Sequence, residues 1–380
     1  MRKTKVYMVH NIVAPYRHAL YEKLAERLDL TVFYCSVKED RKWDHWPRIY
    51  NYKYEVMKGF SAFNQYFNPS IIKKIIYDQP DAIVVGGYSY FTMQITMLLS
   101  YVLKIPLVLF IEGTAEPKTL AGRLSKPFRS LIFRNVTSVI VPGGLSKKYM
   151  LDFNVPEERL HTAPNTIDNN LFINYLNEYA GNREKIRRLL GVEGKVVFLY
   201  IGRLVEEKGI SYLLKAFKRL KQENQDIALL LVGYGDERKR YEEKCVQENI
   251  TDVIFIGYIN SVKKLVKIYL ASDVFVFPTL RDLWGFVINE AMVTGLPVVS
   301  THESQAAQEL VQEGVNGYLV EPKNDYELYK RLTLLTTNSE LRKSMGENSK
   351  RIIMKDFTTE RILNGNLRAI SDAMERHSMR

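Results

Sequence analysis

The sequence predicts an α/β protein built of two Rossmann-like halves, and three observations predict it. Short runs of β-branched and other apolar residues recur along the chain, of the kind that forms strands buried on both faces of a parallel sheet. Helix-length segments separate them, giving the alternation of a doubly wound fold. The chain has 380 residues, enough for two cores of ordinary size.

Taken in order, Lys5 to Val9 is a first strand, Asn11 to Arg17 a loop, and residues 16 to 28 a helix. Thr31 to Ser36 is the second strand. Ligands of an open parallel sheet gather at the carboxyl ends of its strands, which places Asn11, Tyr16 and Arg17 beside the ligand crevice. Residues 41 to 67 hold Trp43, Trp46, Tyr50, Tyr52, Tyr54, Phe60, Phe63, Tyr66 and Phe67, either stacking platforms for sugar rings or core and half-exposed strand. Ala82 to Leu103 carries no charge, but Gly86, Gly87, Ser89, Thr92, Gln94 and Thr96 interrupt it and Pro106 follows. It reads as strand, glycine turn and helix rather than a membrane span.

Leu107 to Ile111 is a strand that delivers Glu112 to its carboxyl end, and Ser138 to Val141 is another. Asn182 to Leu190 is a linking helix. The second half repeats the pattern: a strand at Val196 to Tyr200, a loop through Gly209, and a helix from Ile210. Strands follow at Ile227 to Val232, Val253 to Ile256 and Val274 to Phe277, then a helix starting near Phe286 and a strand at Pro297 to Ser300. A last helix covers about residues 358 to 376.

The formal net charge is +11, and the first half is the basic one: 23 basic against 15 acidic residues in 1–170, and 31 against 28 in 171–380. From Pro117 to Leu151, Lys118, Arg123, Lys126, Arg129, Arg134, Lys147 and Lys148 alternate with apolar residues and no acid. That mixture suits either an anionic membrane surface or a solvated helix face. No recognised nucleic-acid motif accompanies it, so nucleic acid is not expected as a partner. Cys35 and Cys245 lack metal-ligand spacing and fall in different halves. With an apolar run of only Val6 to Val9 at the N-terminus, too short for a signal-peptide core, they fit a reduced cytoplasmic setting, peripheral at the inner membrane face if the basic stretch binds lipid.

The most informative stretch runs from Ser272 to Thr301. Asp282 precedes Gly285 and Glu290 lies inside the following helix, so the two acids flank a helix N-terminus, whose N–H groups and partial positive charge suit a phosphate. A carboxylate on that helix can accept bonds from sugar hydroxyls. Gly202-Arg203-Leu204 and Lys208-Gly209 form a second loop after a strand, bringing two cations to where a diphosphate could sit. It lacks the G-K-[ST] of a P-loop, and Gly233-Tyr234-Gly235 is not a dinucleotide fingerprint.

Asp282 and Glu290, with Ala291-Met292 and Gly295-Leu296-Pro297-Val298-Val299 behind them, resemble the E-x7-E segment of family 4 glycosyltransferases (glycosyl transferases group 1), with Asp for the first Glu. Gly202 to Gly209 resembles that family's G-R-L-x-x-x-K-G segment, and Pro164 to Asp168 its PNGID segment, with Thr166 for the glycine. Val13-Ala14-Pro15 and Gln305 to Glu309 depart from the family's glycine-rich patterns at those places. The resemblance implies the GT-B fold: two Rossmann-like parallel-sheet domains facing each other across a cleft that closes on the substrates. Residues 1–180 would take the acceptor, 181–356 the donor, and 357–380 would return to the first domain.

The same resemblance implies retaining transfer of a sugar from a nucleoside diphosphate sugar, with UDP, GDP or another base, to a hydroxyl acceptor of a cell-surface glycan, polysaccharide or glycolipid. Arg203, Lys208 and the amides of Gly285, Phe286 and Val287 would hold the diphosphate, Glu290 the ribose and the Tyr258 loop the base. Asp282 and Glu112 would orient the sugar, Glu112 standing where many members have a histidine. No D-x-D sequence is present, so no cofactor or metal is expected. A nucleotide-sugar epimerase and a non-catalytic nucleotide-sugar-binding protein are the alternatives.

Overall fold

A computed structural model of the chain describes residues 2–36, 50–62, 65–113 and 126–379. The chain divides into two compact units, one of residues 1–165 with 359–380 and one of 166–358.

The first unit holds β1 (Lys5–Ile12), β2 (Asp29–Ser36), β3 (Lys53–Val56), the short pair β4 (Phe60–Ala62) and β5 (Gln65–Phe67), then β6 (Ala82–Gly86), β7 (Leu107–Phe110), β8 (Ser138–Val141) and β9 (Leu160–Thr162). Seven of these form one sheet in the order β3-β2-β1-β6-β7-β8-β9, and every pairing in it is parallel. Parallel neighbours need crossovers. Helices supply them, at His18–Arg27, Ser70–Asp78, Phe91–Val102 and Lys126–Asn135. Both faces of the sheet are therefore covered, and β6, β7 and β8 are continuous apolar runs for that reason.

The second unit holds β10 (Val196–Ile201), β11 (Ile227–Val232), β12 (Val253–Ile256), β13 (Val274–Phe277), β14 (Val298–Thr301) and β15 (Gly317–Val320), paired in parallel in the order β12-β11-β10-β13-β14-β15. Its core runs from Val197, Phe198 and Leu199 on β10 to Leu213, Leu214 and Phe217 on the Ile210–Glu223 helix.

In each sheet the order reverses once, between β1 and β6 in the first unit and between β10 and β13 in the second. The strand-end loops diverge there and leave room for a ligand.

Three expectations need correction. The boundary falls at 165/166 rather than 180/181, because Ile167 and Phe172 bury their side chains in the second unit's core. β1 runs to Ile12, pairing with Ser36, so Asn11 is a strand residue rather than a loop residue. The helix expected over 16–28 splits into a 3-10 turn, Pro15–Arg17, and an α-helix, His18–Arg27.

The Thr359–Ser378 helix packs with the first unit, where Ile362, Ala369, Ile370 and Ala373 join Tyr21, Val84 and Ile140 in one core. Among the described residues no helix is long and apolar enough to cross a membrane.

Candidate active site

The second unit's switch point is built from the loops after β10 and β13. A 3-10 turn, Glu206–Lys208, carries Lys208 inward, where its side chain is 8% exposed. Lys208 Nζ donates to Asp282 Oδ2 at 2.7 Å and to the Arg281 carbonyl at 3.0 Å. The two loops are laced together by backbone, since Leu280 N donates to the Glu207 carbonyl at 2.7 Å and the Thr279 hydroxyl lies 3.2 Å from the same oxygen. A buried cation thus meets a carboxylate 74 positions away, a pairing no local pattern announces.

Asp282 also ties its loop to the neighbouring backbone. Its N–H donates to the Glu303 carbonyl at 2.9 Å, and its Oδ1 accepts from Trp284 N at 3.2 Å. Gly285 then takes φ +96 as the residue before the Phe286–Val293 helix, a left-handed conformation open to glycine. The Trp284 indole donates to Asn289 Oδ1 at 3.0 Å and the Ser304 hydroxyl to the Trp284 carbonyl at 2.7 Å, fixing the helix start. The first-turn amides of Phe286 and Val287 therefore belong to a hydrogen-bonded helix start that follows Asp282, the kind of end that suits an anion.

Glu290 lies on that helix, half-buried, and accepts a bond from the Tyr269 hydroxyl at 2.8 Å. Burial raises its pKa to about 7, against the downward pull of that hydroxyl. The carboxyl therefore changes charge near neutrality. A raised carboxyl pKa favours the folded state most below about 4.5, the unfolded value, and that advantage is lost as the pH climbs through 7. Thermal melts should thus show the native chain losing stability relative to Glu290→Gln between pH 5 and 8, and parallel curves would disprove the shift.

Arg203 points outward. Its side chain is exposed and, among the described residues, within ion-pair reach of no carboxylate, while its carbonyl accepts from the buried Tyr200 hydroxyl at 2.8 Å. Tyr200 links the two loops: burial first, then the Asp282 charge, pushes its pKa well above the usual tyrosine value, with Arg203 opposing. Tyr258 follows β12, is 38% exposed, and meets Tyr234 edge-on at 5.4 Å.

The first unit has its own cluster at the strand ends. Arg17, buried, donates from Nη2 to Glu112 Oε1 at 3.0 Å, and Asn165 Nδ2 donates to the same oxygen at 2.9 Å. The guanidinium also sits 4.5 Å over the Phe110 ring. Glu112 is therefore an arginine-paired acid in a fixed orientation. Asn11 and Tyr16 are half-buried nearby in sequence, and His10, buried against Tyr21 and Phe110, is kept neutral by its burial and then by Arg17.

Several contributors have no motif of their own. Tyr200 and Tyr269 are core-strand and helix aromatics by pattern, and Arg281 is an exposed cation beside Asp282. Asn165 stood in the Pro164–Asp168 segment, the one signal that could have marked it. The basic stretch is partly reassigned: Arg129 is buried, donating to the Tyr149 hydroxyl at 2.7 Å, so it is not a surface cation. Lys118 and Arg123 lie outside the described residues, as do Trp43, Trp46 and Phe63. Among the described residues no cluster of three His, Cys, Asp or Glu is arranged to hold a metal ion.

Two doubly wound units, each an all-parallel sheet with one switch point, are the architecture of the GT-B fold. The sequence comparisons name the family. The model described as Glycosyl transferases group 1 matches residues 182–352, and that described as Glycosyltransferase Family 4 matches 13–171. The chain belongs to these glycosyltransferases.

An uncharacterized glycosyltransferase of Methanocaldococcus jannaschii is 27% identical over 301 residues, 77% of this chain and 76% of that protein. The capsular polysaccharide biosynthesis glycosyltransferase CapM of Staphylococcus aureus is 27% identical over 183 residues, 47% of this chain and 46% of its own. Among solved structures, Anabaena HepE in complex with UDP superposes with a TM-score of 0.79 at 20% identity, covering 97% of this chain and all of that one, a likeness of fold.

Proposed function

We propose that this glycosyltransferase moves a sugar from a nucleoside diphosphate sugar to a hydroxyl acceptor with retention at the anomeric carbon, without a protein-held metal ion. The observation that carries the reading is the Lys208–Asp282 pair at the second unit's switch point, beside the amino end of the Phe286–Val293 helix.

Breaking the bond from the anomeric carbon to the diphosphate oxygen leaves negative charge on the diphosphate. Lys208 and the amides at Gly285, Phe286 and Val287 stabilise that charge, with the exposed Arg203 and Arg281 as further cations at the rim. Asp282 both holds Lys208 and accepts from sugar hydroxyls. Glu290 accepts from the ribose, and the loop through Tyr258 receives the base. In the first unit, Glu112, oriented by Arg17 and Asn165, meets the acceptor, with Asn11 and Tyr16 beside it.

HepE binds UDP and CapM serves capsular polysaccharide synthesis. The first supports a nucleotide donor here and the second a glycan acceptor, while residence at an anionic membrane surface rests on the basic first half of the chain.

Thermal-shift measurements with UDP, GDP and ADP test the donor half, because a ligand confined to the folded state raises its melting temperature. One nucleotide should raise it in the native chain and not in Lys208→Met. No shift with any of the three would overturn the assignment. Incubation with nucleotide sugars, read by mass spectrometry, should give free nucleotide and a glycosylated acceptor, and equally so in chelator; activity restored only by Mg²⁺ or Mn²⁺ would remove the metal-free part.

A further inference from the structure

The Phe91–Val102 helix has no charged residue and turns an apolar stripe to solvent. Its inward stripe is Thr92, Met93, Thr96, Met97 and Ser100, all buried. The three hydroxyls on that side are satisfied locally. Thr92 accepts from Asn68 N at 3.0 Å, Thr96 donates to the Thr92 carbonyl at 2.7 Å, and Ser100 to the Ile105 carbonyl at 3.2 Å.

The outward stripe is Phe91, Ile95, Leu98 and Val102, spaced i, i+4, i+7 and i+11 and so on one face, with Tyr101 beside it. Phe91, Leu98, Tyr101 and Val102 are between 52% and 67% exposed. The polarity is thus inverted relative to an ordinary surface helix. A lone exposed leucine is unremarkable, but a stripe running the length of a three-turn helix marks a contact surface. The Ser70–Asp78 helix packs beside it on the same side of the sheet and adds exposed Ile76 and Tyr77.

Charge identifies what covers the stripe. Residues 82–151 contain eight Lys or Arg, of which Arg129 is buried, and two acids. Lys104 follows the helix directly and is exposed. On the same side of the sheet, the Lys126–Asn135 helix presents exposed Lys126 and Arg134 with exposed Phe128 and Leu131, while its Phe133 shares a core with Met93 and Met97. An apolar stripe bordered by cations matches a bilayer interface, which offers hydrocarbon at its depth and phosphate at its rim. A second protein's apolar groove would not require the cations.

We propose that the Phe91–Val102 stripe lies in the interface of an anionic lipid bilayer, with Lys104, Lys126 and Arg134 at the headgroups. This gives the membrane part of the reading above a particular surface, centred on the uncharged helix rather than on the basic stretch alone. It concerns the first unit only, so its test needs no nucleotide and its failure leaves the donor site untouched.

The experiment is flotation of the full chain with vesicles of phosphatidylcholine, alone or mixed with phosphatidylglycerol. The native chain should float with the mixed vesicles and stay behind with phosphatidylcholine. Leu98→Glu/Val102→Glu should lower the bound fraction by about tenfold or more, since two buried apolar side chains are exchanged for charges. Both sites are solvent-facing, so its melting temperature should match the native one. Lys126→Glu/Arg134→Glu should weaken binding by a comparable factor, and added salt should do the same. As an independent readout, the emission of Leu98→Trp should move to the blue with the mixed vesicles only.

Flotation of Leu98→Glu/Val102→Glu equal to the native chain would overturn the proposal, as would an unmoved Leu98→Trp emission. Sedimentation showing a native dimer that this double variant turns into monomer, with no vesicle binding by either, would make the stripe a face between two copies and also overturn it.

Discussion

Replacing Lys208 with methionine should lower kcat by about 10²–10³-fold, the loss typical of removing one preorganised stabiliser of transition-state charge. Methionine keeps the length and apolar stem of the lysine, which lies against the Phe277 ring, and deletes only the ammonium group. Two effects should then separate. Asp282, 22% exposed, loses its 2.7 Å partner, which costs about 1–3 kcal/mol of stability because a partly buried carboxylate is left without its cation. The diphosphate loses a cation as well. Adding Asp282→Asn should restore most of the melting temperature without restoring turnover. Steady-state kinetics beside thermal melts would read both, and a Lys208→Met enzyme within a few-fold of native kcat would remove the leaving-group role.

Gly209→Ala should be among the most damaging small substitutions in the second unit. Gly209 has φ +67, and a Cβ built there would lie 2.0 Å from the Pro278 carbonyl oxygen. Backbone faces backbone at that point, so no side chain can yield. The residue also joins the turn bearing Lys208 to the Ile210–Glu223 helix, so relief would pull the two loops of the site apart. A loss of about 3–5 kcal/mol is expected, in the range reserved for strained special positions. The melting temperature should fall by roughly 10 °C. Gly194→Ala is the control: φ is +76 there, but nothing lies within 4 Å of the added carbon, so only the backbone term of about 1–2 kcal/mol applies. Equal costs at the two positions would show that the carbonyl contact carries no weight.

Much of this architecture is legible in the chain because it depends on short apolar runs. β8, β11 and β13 fall at the residues their apolar runs mark, since strands buried on both faces leave no other pattern, and β12, half-buried at the sheet edge, falls where its apolar run does as well. The helix after Gly285 is legible for a related reason, as the left-handed glycine and the apolar run behind it are local features. What depends on partners distant in sequence is not. Nothing near Lys208 announces Asp282, and nothing near Glu112 announces Arg17 or Asn165, because each contact exists only once separate strand ends are brought side by side. The division at 165/166 was hidden likewise: Ile167 and Phe172 carry no mark of which core receives them. Asn11 read as loop on account of its polarity, yet β1 continues through it to Ile12, opposite Ser36.

The first unit is completed by a helix encoded after the whole of the second. Residues 359–378 leave the ribosome after 166–358, which are by then free to fold, so the segment numbered later should mature earlier during translation. Until then the side of the first sheet that Ile362, Ala369 and Ile370 will cover lies bare. A stop codon just before Thr359 would therefore harm the amino-terminal half of the protein and spare the half it adjoins.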